Sequence, residues 1–73
     1  MQGKKLIDYI IEVDWPHKWY EGIGQALHYA HVDGHRKPML ALILRNEKDT
    51  VYVERAKALG ESICPSIKVV VIP

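Results

Sequence analysis

Residues 6–32, LIDYIIEVDWPHKWYEGIGQALHYAHV, decide the fold. The first part, 6–13, is rich in β-branched and aromatic residues and short enough to be a strand. Pro16 ends it, because proline brings no backbone donor to a ladder. From 17 to 32 the period becomes helical. At steps of about 100°, Trp19, Ile23, Ala26, Leu27 and Ala30 gather on one apolar face. Gly22 and Gly24 run against this helix, each costing about 1 kcal/mol relative to alanine. They are expected where the helix lies close against a sheet. The helix stops in 33–38, DGHRKP, a turn punctuated by glycine and proline.

Outward from this stretch the alternation continues. Residues 39–44 form an unbroken apolar run, as a strand buried on both faces requires. After the polar connection 45–49, a second helix is predicted over 50–63, with Tyr52, Ala56, Leu59 and Ile63 at helical spacing. Pro65 interrupts, and 67–72 is a last apolar strand. The order is β-α-β-α-β, which predicts an α/β domain over 1–73 with a three-stranded, mainly parallel sheet and right-handed crossovers.

The chain has 73 residues, so its core is small, burying only about 60% of the surface its unfolded form exposes. Cys64 is the one cysteine. It excludes an internal disulfide framework, fits a reducing compartment, and reads as a buried small hydrophobe. Help from a second copy is expected, as a homodimer or higher oligomer. Ten basic residues against nine acidic give almost no net field, so composition alone does not write in electrostatic capture of nucleic acid. No stretch reaches the roughly 18 apolar residues of a membrane span. Residues 1–5 lack the apolar core of a signal peptide, which points to the cytoplasm.

The polar residues of the first strand carry the chemistry. Side chains alternate, so Leu6, Asp8, Ile10, Glu12 and Asp14 share one face. Carboxylates thus converge at the strand's carboxyl end, where burial is costly unless a cation or hydrogen bonds compensate. Mg²⁺, which takes oxygen ligands, is one such compensation. The plainer reading is a solvated strand end, with Asp14 capping the following helix. On that helix Lys18, Gly22, Gln25 and Tyr29 line a narrow stripe beside the apolar face. Lys18 falls in the first turn, where a lysine can stabilise charge developing on a phosphoryl group. Equally, these residues can be a solvated helix flank.

Taken together, 11–30, IEVDWPHKWYEGIGQALHYA, resembles the core of a PD-(D/E)xK nuclease, with a restriction-endonuclease-like fold. It is closest to small phage- and bacteria-type members in which the lysine has moved from the strand to the next helix. In that resemblance Glu12 matches the acidic residue of the (D/E)xK element and Asp14 sits where its lysine usually stands. Lys18 is similar to the migrated lysine, and Gln25 with Tyr29 forms a Q-x-x-x-Y pattern. The resemblance implies an endonuclease-like, metal-dependent hydrolase of DNA. Glu12, Asp14 and Asp8 would be ligands for Mg²⁺ or Mn²⁺, and Glu12, Lys18, Gln25 and Tyr29 the catalytic set. The family also places an aspartate on the preceding strand, and at that spacing this chain has Gly3. A natural fragment, a degenerate domain and completion by another chain all account for this. The alternative function is an inactive nuclease-like module acting in nucleic-acid binding or dimerisation.

Two weaker patterns compete. His28, His31 and His35 could hold Zn²⁺, but no cysteine or carboxylate completes a recognised spacing. Gly22-Ile-Gly24 lacks the third glycine of a dinucleotide loop and falls inside the helix.

Overall fold

A computed structural model describes residues 3–5 and 7–73. The elements are β1 (Gly3–Lys5), β2 (Tyr9–Asp14), α1 (Trp19–Asp33), β3 (Lys37–Ile43), α2 (Thr50–Ser62) and β4 (Lys68–Ile72). Short 3₁₀ turns, Pro16–Lys18 and Glu47–Asp49, lead into the two helices. The strands form one sheet in the order β1-β2-β3-β4. β2, β3 and β4 are parallel, and β1 runs antiparallel to β2. The alternating β-α-β-α-β order is thus the observed α/β fold, with one additional strand at the β2 edge. Of the first expected strand, Leu6 lies outside the described residues, and Ile7 and Asp8 form a bend before β2.

β1 is too short to leave a period, so its sequence shows no strand signal. It is held by its partner instead: Gly3 stands opposite Glu12, Lys4 opposite Ile11 and Lys5 opposite Ile10.

Both crossovers step the same way along the sheet, and right-handed crossovers then put both helices on one face. One core cluster accordingly joins Ile23 of α1 and Val53 and Ala56 of α2 to Leu40 and Leu42 of β3 and to Ile67. Leu40 and Leu42 are wholly buried, so truncating either to alanine is a loss of about 2–5 kcal/mol. In the register, Glu12 pairs with Leu40 and Asp14 with Leu42, so both carboxylates share the helix-covered face. The opposite face carries Tyr9, Ile11, Val13, Met39, Ala41 and Val70, with Lys68 Nζ 5.8 Å from the Tyr9 ring centroid.

The predicted apolar face of α1 is the packed one: Ile23 and Ala26 are buried, and Trp19 and Leu27 pack against the core. A Cβ at Gly22 would stand 2.7 Å from Leu40 Cδ1, so the helix approaches the sheet there as its glycine suggests. Gly24 does not follow that expectation; it is exposed and a Cβ would meet nothing within 4 Å. α1 ends at Gly34, whose φ of 78° suits glycine. The turn beyond is pinned by Asp33. Its Oδ2 accepts from the backbone N–H of Arg36 (2.8 Å) and His35 (3.3 Å), and its Oδ1 from Arg36 Nη1 (2.7 Å).

In α2 Val53, Ala56 and Gly60 are buried, and Leu59, with Ile63 just past the helix end, packs half-buried against the core. The stripe read from spacing is therefore largely the packed one, and Val53 and Gly60 extend it. Cys64 corrects an expectation: it is exposed, because the connection from α2 to β4 runs over the surface.

Candidate functional site

β2 places Glu12 and Asp14 two residues apart, about 7 Å along the strand and on one face. Glu12 is 0% exposed and Asp14 4%. The solvated strand end is therefore excluded. Asp14 is not a helix cap either: its Oδ1 accepts from the adjacent Trp15 N–H at 2.9 Å, and the helical turn that follows has no side-chain cap.

Glu12 is the anomaly of the fold. Neither of its carboxyl oxygens has a hydrogen-bond partner among the described residues. Burial pushes this carboxyl above the ordinary glutamate range, and the nearby Asp14 carboxylate adds to the effect. A buried, unsatisfied polar group costs about 1–3 kcal/mol, which folding alone gives no reason to keep.

The other expected residues are not gathered with it. Asp8 is exposed, precedes β2, and is four residues from Glu12, about 13 Å in an extended chain. Its backbone oxygen accepts from Lys37 N–H at 2.9 Å, at the opposite end of β2 from Asp14. The expected trio of Asp8, Glu12 and Asp14 is thus not assembled. Among the described residues no three His, Cys, Asp or Glu side chains come together to hold a metal, His28, His31 and His35 included. Lys18 is exposed at the start of α1 and forms no ion pair with either carboxylate. Gln25 is exposed and Tyr29 half-buried, the latter with its ring centroid 6.2 Å from that of His28. Gly22, on the same stripe, lies over the site, its Cβ position 3.6 Å from Asp14 Cβ.

Sequence reasoning passed over a second cluster beside this one. Two residues beyond the end of β3, Arg45 sits with its guanidinium carbon 4.9 Å from the Trp15 ring centroid. Its Nη2 is 3.3 Å from His17 Nδ1, and a guanidinium only donates, so Nδ1 accepts. Asp49, buried at 4%, accepts the Arg45 backbone N–H on Oδ2 at 3.0 Å, and Arg45 Nε lies 3.7 Å from the same oxygen. A single polar stretch, 45–49, offers no period from which this could be read. The one usable signal was an aspartate directly before a helix.

No helix among the described residues is long and apolar enough to cross a membrane. Compared with protein-family models, with curated proteins and with solved structures, the chain matches none.

Proposed function

We propose that the chain acts on nucleic acid at the carboxylate end of β2, as a metal-dependent phosphodiester hydrolase core of the type its sequence resembles, with DNA as substrate. The observation that carries this reading is Glu12, a fully buried carboxyl with both oxygens unpartnered, next to a second buried carboxylate. Those two groups fit a hard divalent ion in one specific sense. Mg²⁺ keeps several waters and is commonly held by one or two carboxylates together with substrate phosphates. When bound, such an ion polarises phosphoryl oxygen and lowers the pKa of water. The chain's own contributions are Glu12 and Asp14 as oxygen ligands; Lys18 as a cation for developing charge, and Gln25 and Tyr29 as groups that orient phosphate, are roles that rest on the resemblance alone.

The test is cleavage of single- and double-stranded DNA in Mg²⁺ or Mn²⁺, with Glu12→Gln, Asp14→Asn and Lys18→Ala purified alongside. Activity lost in all three supports the reading. No cleavage, combined with no heat of Mn²⁺ binding in calorimetry, sinks it.

A specific observation favours the second reading, an inactive module that binds nucleic acid or dimerises. The residue opposite Glu12 on β1 is Gly3, the position where the resemblance calls for an aspartate. Under that reading two copies would associate, and sedimentation equilibrium would show a dimer with no metal requirement.

A further inference from the structure

We propose that Arg45, held over Trp15 and beside His17, is the phosphate-engaging residue for a single-stranded nucleic acid crossing the carboxyl ends of β2 and β3. This rests on the reading of nucleic acid as the partner, but not on hydrolysis. Arg45 is fixed from three directions. Asp49 holds its backbone, Trp15 lies under its guanidinium, and His17 takes one of its donors. Immobilising an arginine side chain sacrifices rotamer freedom, and a group immobilised before binding loses less on binding.

The contrast with Arg36 separates a structural arginine from this one. Arg36 closes on Asp33 at 2.7 Å and staples a turn. Arg45 makes only a looser ion pair: Asp49 Oδ2 is 3.7 Å from its Nε and already accepts the backbone N–H. The Arg45 side chain stays 47% exposed, with a fork of five N–H donors of which the His17 contact uses one. That planar fork matches phosphate geometry, and a guanidinium stacked on an indole is a platform single strands use. Its place completes the case. Trp15 is bonded to Asp14, its N–H reaches the Asp14 carboxylate, and Asp14 is paired with Leu42 on β3. A phosphate on Arg45 therefore lies beside the carboxylate end of β2, and Lys18 and the His17 Nε2–H are further donors on the same loop.

The experiment is fluorescence anisotropy with a short labelled oligothymidylate in EDTA, so that cleavage plays no part. Wild type is expected to bind, and Arg45→Ala to bind about tenfold more weakly. The slope of log affinity against log salt should fall in magnitude by about 0.7, one single-strand phosphate contact. Arg45→Lys, which keeps charge without the fork, should recover only part of the loss, and Lys57→Ala on α2 should change nothing. Circular dichroism and the urea midpoint establish that each variant is folded. No binding by wild type, binding of duplex alone, or a folded Arg45→Ala with unchanged affinity and salt slope overturns the proposal. Arg45-dependent binding without cleavage in Mg²⁺ would remove the hydrolytic reading and leave this one standing. Cleavage indifferent to Arg45→Ala would do the reverse.

Discussion

Replacing Glu12 should make the protein more stable and remove one limb of its pH dependence. The side chain is 0% exposed, both oxygens lack a partner, and its strand neighbour across the ladder is the buried Leu40. A leucine of similar volume leaves no polar atom there, so Glu12→Leu should gain about 1–3 kcal/mol at neutral pH. For a domain of this size that raises the thermal midpoint by about 4–8 °C for each kcal/mol. The pH behaviour follows from linkage. Burial raises the folded carboxyl above its ordinary value of 4.5, so the unfolded chain releases this proton first. Wild-type stability should therefore fall as pH rises from 4.5 to the raised folded value, the slope bounded above by the one-proton limit of about 1.4 kcal/mol per pH unit. Above that value the penalty is constant. Asp33 acts with the opposite sign and elsewhere. Chiefly the Arg36 backbone N–H, with its guanidinium assisting, holds the Asp33 carboxyl below its ordinary 3.8. Its stabilisation is complete above 3.8 and fades as pH falls through the lowered folded value. Urea unfolding of wild type, Glu12→Gln and Glu12→Leu between pH 4 and pH 8 reads both quantities. The reasoning is refuted if Glu12→Leu is less stable than wild type at pH 7, or if wild type and Glu12→Gln change in parallel across the upper window.

Three other expectations are open to direct measurement. Gly22→Ala should be worse than Gly24→Ala by about 1 kcal/mol or more in thermal unfolding, because only position 22 has Leu40 in its way. Asp49→Ala leaves the Arg45 N–H without its acceptor and should cost about 1–3 kcal/mol in urea, while also weakening oligonucleotide binding. Gly3 stands opposite Glu12 in the ladder, so Gly3→Asp should strengthen Mn²⁺ binding in calorimetry; unchanged binding would show that position 3 is not the absent ligand.

The fold was legible because its signals are long and periodic. Sixteen residues of helical period in 17–32 and an unbroken apolar run in 39–44 leave little choice of element, and their alternation leaves little choice of topology. β1 was illegible for the converse reason: three residues, Gly3–Lys5, carry no period, and only pairing to β2 makes them a strand. At the site, the shared face of Glu12 and Asp14 follows from strand alternation and was readable. The same parity argument misled at Asp8, since parity counts residues but says nothing of where a strand begins. Arg45 was invisible because its contacts with Trp15 and His17 span about thirty residues and depend on β2 and β3 lying side by side.

The position of β3 between β2 and β4 has a kinetic consequence. Tyr9 pairs with Lys37 and Met39 with Lys68, so each parallel ladder must close across a whole intervening helix. Neither can form early as a local hairpin, and loop-closure entropy is lost before either ladder repays it. Folding should thus be slower than for a helical bundle of equal length, with its barrier set by docking the central strand. Leu40→Ala, at the middle of that strand, should then show its effect mainly in the refolding limb of a chevron plot, and substitutions on the outer faces of the helices in the unfolding limb.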